Sequence, residues 1–318
     1  MGIYKVCRLA VSLIFNVISL LRGAWMLEKV ISILFPVFAV VVAGFIVGKT
    51  FKPDMGPINR INIDVMVPCL VFSTLSVMPL GMEQSSLIIA AVVAVLLPGM
   101  IMAVLAQFCN MPFRVWGPAQ MFRNSGNLAI PLFGYAFGQS AEAPAIMLFL
   151  VSVVLHTTVG ISLLSNQSQR FFSILKTPLL IAACLALTVN FADIKVWQPL
   201  HEAMVLLGNA AVPVMLLSLG VQLTAIRWSG MRIGMLSTLL SLATGAIAFA
   251  TIYVFIPLPS EHMRMMVLFT MLPPAVMNFL LAQRYDAGAE EVASMVLFGN
   301  FLTIITLPAL LYIAFAWF

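Results

Sequence analysis

The sequence predicts an all-α protein that crosses a membrane about ten times. Three observations favour this fold class. Of the 318 residues, 62% are hydrophobic and only 8% are charged, the mean hydropathy is +1.10, and the few charged side chains divide the chain into long uncharged windows. A soluble domain could not bury so much apolar surface, because its usual composition is far more polar.

The uncharged windows predict the crossings, since a helix needs about 20 largely apolar residues to span a hydrocarbon core of about 30 Å. Cutting the chain at its charges leaves ten windows. They are Val30–Gly48, Val65–Met82, Gln84–Phe113, Asn124–Ala141, Ala143–Gln169, Thr177–Ala192, Ala203–Ile226, Ile233–Ser260, Met265–Gln283 and Val292–Phe318. We expect the fourth window to begin earlier, near Gly117, which draws Arg123 into the membrane.

The distribution of Lys and Arg predicts the orientation, because translocated loops are depleted in these residues. One set of alternate loops carries Lys49, Lys52, Arg60, Arg114, Arg170, Lys176, Arg227, Arg232 and Arg284. After Met26, the opposite set carries Lys29, Lys195 and Arg264. This asymmetry predicts that the first set faces the cytoplasm and that both termini lie outside.

Residues 1–25 form an N-terminal extension that does not fit this scheme. Lys5 and Arg8 precede a short apolar run, Leu9–Leu21, as in a signal peptide, but Arg22 occupies the −3 position of a cleavage site after Ala24, where a small residue is required. Three interpretations stay open: an interfacial helix, a signal-like segment, and a start assigned too early. We favour the last, with a functional start at Met26.

An internal repeat is indicated by prolines that recur at a nearly constant spacing. The pairs are Pro36 with Pro178, Pro68 with Pro213, and Pro131 with Pro274, separated by 142, 145 and 143 residues. The predicted domains are therefore a first five-helix repeat at 26–165, a short cytoplasmic connector at 166–176 and a second five-helix repeat at 177–318. An odd number of crossings in each half makes the repeat inverted.

Inverted repeats with interrupted helices are typical of secondary transporters, which bind substrate near the membrane midplane. Segment four contains a polar run, Arg123 to Asn127, before Pro131, and segment nine contains Pro273-Pro274 before Asn278. Two half-helix N-termini that face one another favour an anion. The predicted substrate-binding residues are Asn124, Ser125, Gly126, Asn127, Pro131, Pro273, Pro274 and Asn278, together with Arg123.

Each of these residues also has a simpler interpretation. Prolines kink many membrane helices, and Asn or Ser side chains cross-link neighbouring helices. Arg123 could extend its side chain to the cytoplasmic interface instead of pairing with substrate. Asp64 and His156 are candidates for proton coupling, but Asp64 could cap a helix or pair with Arg60, and a histidine that only packs between helices is the more frequent case.

Three stretches resemble the auxin efflux carrier family. They are Asn124–Pro131, Met265–Leu268 leading to Leu272–Ala275, and Ala211–Pro213 through Leu219–Leu223. The likeness covers residues 26–318, although Ala129 replaces a glycine of the family pattern Asn-x-Gly-x-x-Gly-x-Pro. The resemblance implies two inverted five-helix repeats with crossing broken helices 4 and 9. It also implies a scaffold of segments one, two, six and seven, and an elevator-like motion.

The family's substrates are carboxylates, auxin in plants and dicarboxylates such as malate or malonate in bacterial relatives. The short connector is similar to that of a bacterial-type permease, which implies the bacterial inner membrane. The expected partners are a small organic anion and the lipid bilayer, and a homodimer is left open. A nucleic acid is not expected, because the basic residues form no stripe. No cofactor is expected beyond a coupling ion, H⁺ or Na⁺.

Other classes of protein fit the sequence less well. A membrane-embedded enzyme would need a catalytic constellation at membrane depth, and neither a His-Glu-x-x-His motif nor paired intramembrane aspartates occur. The four cysteines lie far apart and show no metal-ligand spacing. A receptor would normally bring a soluble domain. A channel stays open as the alternative to a carrier.

Overall fold

The structure is a computed structural model that describes residues 26, 28–78, 82–109, 111–165 and 176–318. The N-terminal extension at 1–25 and residues 166–175 of the predicted connector lie outside the described residues. Over the described part of the chain the fold is all-helical, without strands, as the composition predicts.

Twelve helices are numbered here in chain order. They are α1 (Glu28–Thr50), α2 (Gly56–Leu75), α3 (Gln84–Cys109), α4 (Phe113–Met121), α5 (Ile130–Phe137), α6 (Gln139–Leu164), α7 (Pro178–Phe191), α8 (Gln198–Leu223), α9 (Trp228–Phe255), α10 (Ser260–Thr270), α11 (Val276–Arg284) and α12 (Ala289–Trp317). Among the described residues, seven helices are long and apolar enough to span a membrane, namely α1, α2, α3, α6, α8, α9 and α12. The other predicted windows correspond to the shorter apolar helix α7 and to two interrupted segments, α4 with α5 and α10 with α11.

The second predicted window begins too late. Helix α2 starts at Gly56, so Asp64 lies in the middle of the helix instead of at its beginning. The prediction failed because it cut the chain at every charge. Arg60 and Asp64 stand one turn apart on an exposed helix face and form an ion pair of 3.5 Å, which lets the helix continue through both.

Helices α1, α2, α7 and α8 pack together on one side of the molecule. Helix α2 lies against α7 and α8, and α1 crosses α8 where two glycines let the backbones touch. A Cβ atom on Gly44 would lie 2.2 Å from the carbonyl oxygen of Leu217, and one on Gly220 would lie 2.0 Å from that of Val41. Small residues at such crossings are a common way for membrane helices to associate.

The packing of the remaining helices has the same pattern in both halves of the chain. In the first half α3 lies against α4 and α6, and in the second half α9 lies against α10 and α12. Helices α3 and α9 each carry a glycine that lies against the end of the neighbouring shorter helix, α4 or α10. A Cβ on Gly99 would meet Met121, and one on Gly245 would meet the carbonyl oxygen of Thr270.

The α1–α8 crossing generates a stability prediction. We expect Gly220→Ala to lower the free energy of unfolding by about 1–3 kcal/mol, because the new methyl group overlaps backbone that cannot move aside. Gly134→Ala is the matched control, since a Cβ there meets nothing within 4 Å. Thermal unfolding of both variants in the same detergent measures the difference. Equal melting temperatures would contradict the close α1–α8 contact.

Candidate functional site

The first interrupted segment breaks just before its polar run. Helix α4 ends at Met121, and Phe122 has extended backbone with φ −97° and ψ 101°. The chain becomes helical again at Ser125, in a widened turn over Ser125–Ala129 that leads into α5. Pro131 lies in the first turn of α5, as the sequence predicts, because a helix tolerates a residue without an N–H at that position.

The second interrupted segment breaks over residues 271–275. Helix α10 ends at Thr270 and α11 begins at Val276, directly after Pro273-Pro274. Asn278 lies in the first turn of α11 and is 3% exposed. The prolines are therefore at the break itself in segment nine, whereas Pro131 follows the break in segment four.

The two breaks meet. The amide N–H of Asn124 donates to the carbonyl oxygen of Pro273 at 2.8 Å, and the N–H of Ala275 donates to that of Phe122 at 2.9 Å. Arg123 and Pro274 thereby form an isolated antiparallel bridge. We call residues 122–125 and 272–275 together the crossover. Each unwound strand supplies hydrogen-bond partners for the other.

Three asparagine side chains brace the crossover. Asn278 Nδ2 donates to the carbonyl oxygen of Phe122 at 2.9 Å, and Asn124 Nδ2 donates to Asn300 Oδ1 at 2.6 Å. Asn300 Nδ2 in turn donates to the carbonyl oxygen of Pro274 at 3.2 Å. The amide nitrogens of Asn124 and Asn278, which we predicted to bind substrate, are therefore engaged in holding the two breaks together.

Sequence reasoning missed Asn300. It lies in the middle of the longest apolar helix, α12, and is 3% exposed. The only signal in the sequence is an amide inside an apolar window, which a simple helix-packing role explains equally well. Its position beside both breaks comes from the fold. Gly299 lets α12 approach, since a Cβ there would lie 3.0 Å from Pro274 Cδ.

Arg123 is fully enclosed by protein and is 1% exposed. Its guanidinium donates to the carbonyl oxygens of Leu272 and Ser241, both at 3.3 Å, and to Thr244 Oγ1 at 3.1 Å. Of the two interpretations of Arg123, extension to the cytoplasmic interface does not fit this burial. Helix α4 starts at Phe113, which puts Arg123 about 15 Å into the segment by helical rise, and its head group is turned towards α9.

A second set of polar contacts fixes the end of α4. Gln120 Nε2 donates to Ser237 Oγ at 2.9 Å, and Ser241 Oγ donates to Gln120 Oε1 at 2.8 Å. All three residues are buried. Together with Arg123 they attach the end of α4 to α9 by hydrogen bonds instead of apolar packing alone.

The remaining donors at the crossover belong to the turn that follows the first break. Asn127 is half-buried, and no hydrogen bond of its side chain occurs within the described residues. Gly126 lies in the same turn, where the first backbone N–H groups of a helix lack partners within the helix, whereas the N–H of Ser125 donates to the carbonyl oxygen of Arg123 at 2.7 Å. The same holds for Val276 and Met277 at the start of α11, whereas the N–H groups of Ala275 and Asn278 donate to the carbonyl oxygens of Phe122 and Ala275. These groups can hydrogen-bond an anion without dismantling the crossover.

Two cavities approach the crossover from one end of the molecule. A cavity of about 490 Å³ lies between α1, α8 and α12 and is lined mainly by apolar side chains, with Leu128 and Asn300 beside the crossover and Lys49 at the far end. A second cavity of about 600 Å³ reaches from Val276, the first residue of α11, to Arg227 and Glu290 near the helix ends. Both lie at the end that the Lys and Arg distribution predicts to be cytoplasmic.

The two candidates for proton coupling lie in different surroundings. Asp64 is exposed on α2 and paired with Arg60, which is the simpler of its two interpretations. His156 is buried in α6, next to the crossover. Among the described residues, no group of three or more His, Cys, Asp or Glu side chains could hold a metal ion.

Comparison with known proteins points in the same direction as this geometry. Residues 163–311 match the sequence model of a family described as membrane transport protein. An uncharacterized transporter of Methanothermobacter thermautotrophicus is 26% identical over 299 residues, covering 88% of this chain and 96% of that protein. These matches support a transporter, and the apolar helices indicate a multi-pass membrane protein. The resemblance to the auxin efflux carrier family is thereby confirmed.

The brace between Asn124 and Asn300 generates the prediction for this site. Each single change to Ala should lower stability by about 1–3 kcal/mol, because it leaves a buried polar partner unsatisfied. The double variant should lose less than the sum of the two, with a coupling energy of about 0.5 kcal/mol or more. Thermal unfolding of the wild type, both single variants and the double variant measures it. Strict additivity would show that the 2.6 Å contact does not contribute to stability.

Proposed function

We propose that this protein is a secondary transporter of small organic anions, mono- or dicarboxylates, that works by elevator-type alternating access. The observation that carries the proposal is the crossover itself. Two half-helices begin there, one after each break, and their N-termini favour negative charge. The hydrogen-bond partners of the buried Arg123 are carbonyl and hydroxyl oxygens instead of carboxylates, so its positive charge favours an anion over a cation nearby.

The proposed architecture is ten crossings in two inverted five-helix repeats. Counting α7 and the two interrupted segments with the seven long helices gives this number. The equivalent packing of α3 and α9, each with a glycine against the end of a half-helix, supports the repeat. Inverted repeats of this kind allow one half of a transporter to take the conformation of the other half. This exchange changes the side of the membrane from which the binding site is accessible.

Alternating access is supported by the difference between the two ends. At the end of Lys49 and Arg227, the cavities described above approach the crossover. At the opposite end, Lys29 of α1 lies 3.9 Å from the ring centroid of Phe315 of α12, and Phe315 also packs on Phe137. Cavities that reach the crossover from one end, with aromatic contacts between helices at the other, correspond to one state of such a cycle.

The proposed motion separates two groups of helices. Helices α1, α2, α7 and α8 form the scaffold, and the crossover with α3–α6 and α9–α12 forms the transport domain. Where the groups meet, Val37 of α1 and Leu216 of α8 pack in one apolar cluster with Leu132 of α5. Apolar contacts without directional bonds can slide past one another at lower cost than a network of hydrogen bonds.

The substrate-binding prediction concerns Asn127. Because a hydrogen bond to a charged group contributes about 1.5–3 kcal/mol, Asn127→Ala should raise the apparent dissociation constant about ten- to a hundredfold. Its melting temperature should stay close to that of the wild type, since Asn127 does not brace the crossover. Asn124→Ala is the contrasting variant and should lose stability as well. Uptake of a panel of radiolabelled mono- and dicarboxylates into proteoliposomes measures affinity.

The same proteoliposomes separate a carrier from a channel, which is the alternative function. Counter-transport, in which unlabelled substrate on one side drives labelled substrate from the other, requires alternating access. If wild-type protein shows saturable counter-transport that Asn127→Ala leaves unaltered, the proposed site is wrong. Flux that never saturates would favour a channel.

The proposed location is the bacterial inner membrane, with both termini outside the cytoplasm. We predict that a reporter fused after Phe318 reports an extracytoplasmic position, because the Lys- and Arg-rich loops hold the opposite face in the cytoplasm. A control fusion in the loop after Thr50 should report the cytoplasm. The opposite pattern from the two fusions would reverse the topology and assign both cavities to the outer face.

A further inference from the structure

His156 occupies a narrow slot beside the crossover. Its ring stacks on that of Phe122 with a centroid distance of 4.0 Å and an interplanar angle of 6°. On another side lies Gly160, where a Cβ atom would be 2.8 Å from His156 Cδ2 and equally close to the Phe122 ring. The imidazole is therefore held in one plane between the Phe122 ring and Gly160.

Two polar atoms in this slot lack hydrogen-bond partners. His156 Nε2 and Asn278 Oδ1 are both buried and unsatisfied, and both side chains contact Phe122, whose ring stacks on the imidazole and whose carbonyl oxygen accepts from Asn278 Nδ2. Asn278 Nδ2 is already engaged with the carbonyl oxygen of Phe122, which fixes which end of the amide faces the histidine. Each unsatisfied atom is thus the partner available to the other, provided that Nε2 carries the proton.

The surroundings of the slot favour a neutral imidazole. The side chains that α3, α4 and α6 contribute to the cluster around Phe122 are Val95, Leu96, Met121, Leu155, Val159 and Leu163. They are all apolar. The next residue in the chain, Arg123, is cationic, although its guanidinium is directed to α9. A second positive charge would be buried beside it without a carboxylate, which is costly.

We propose that neutral His156 is a positioning residue whose Nε2–H donates to Asn278 Oδ1 and so fixes the amide that braces the crossover. This inference rests on the proposed function for its kinetic consequences, and it replaces the expectation that His156 carries a coupling proton. The substrate does not touch His156. The histidine instead fixes the side chain of Asn278, and Asn278 in turn fixes the carbonyl group of Phe122 at the first break. This contact orients the turn that follows the break.

Two variants of His156 test separately the N–H donor, the flat ring and the ability of the side chain to carry a proton. His156→Phe keeps a flat ring against Phe122 but removes the donor. His156→Gln keeps a donor near the position of Nε2 but cannot carry a proton. Thr157→Val, on the next position of the same widened turn, is the packing control, because the Thr157 hydroxyl donates only to backbone carbonyls within α6.

We expect His156→Phe to raise KM for the transported carboxylate about two- to tenfold, the equivalent of losing one neutral hydrogen bond, with little change in kcat. His156→Gln should restore KM to near the wild-type value and leave the pH profile of transport unchanged. A wild-type KM in His156→Phe would overturn the proposal. Loss of accumulation driven by a pH gradient in His156→Gln, with exchange intact, would overturn it in favour of proton transfer.

Thermal unfolding in detergent tests the contact without transport. If His156 acts through Asn278, the decrease in Tm caused by His156→Phe should shrink in an Asn278→Ala background, whereas Thr157→Val should change Tm equally in both backgrounds. Equal decreases for His156→Phe would overturn the proposal. If the wild type transports none of the carboxylates, the proposed function fails. The comparison of Tm values in the two backgrounds still decides whether His156 positions Asn278.

Discussion

The crossover depends on one constraint, the requirement that every backbone polar group at membrane depth has a hydrogen-bond partner. A helix that stops inside the membrane leaves N–H and carbonyl groups exposed at the break. Here the break after α4 and the break after α10 satisfy one another through the pairing of Asn124 with Pro273 and of Ala275 with Phe122. Neither break would be tolerable alone, so the two halves of the chain must fold against each other.

Arg123 shows how a buried charge can be retained without a carboxylate. Taking a guanidinium out of water costs several kcal/mol, which its hydrogen bonds to carbonyl and hydroxyl oxygens offset only in part. The remaining positive potential lies beside the N-termini of two half-helices. A carboxylate at this point would lower the energy of the site as a whole, whereas a cation would raise it. The same arrangement that stabilises the crossover therefore supports the proposal of a negatively charged substrate.

The sequence predicted the helical class and the two segments that break, because charge spacing and paired prolines are local signals. It misplaced the start of α2, since an ion pair on one helix face looks like the end of a window. It could not find Asn300, because an amide inside an apolar helix has the same appearance whether it packs or braces a break. The direction of the Arg123 side chain depends on α9, more than a hundred residues away in the chain, and no local pattern encodes it.

The bracing of the crossover also limits how such a site could move. Asn300 fixes α12 to both breaks, Arg123 and Gln120 fix α4 to α9, and Asn278 fixes α11 to Phe122. Bending any one of these helices on its own would break buried hydrogen bonds, which are expensive to leave unsatisfied. The contacts of this unit with α1 and α8 are largely apolar and have no preferred direction. The proposed displacement of the whole unit against α1 and α8 would leave these hydrogen bonds intact, and it would carry the turn after the first break with it unchanged.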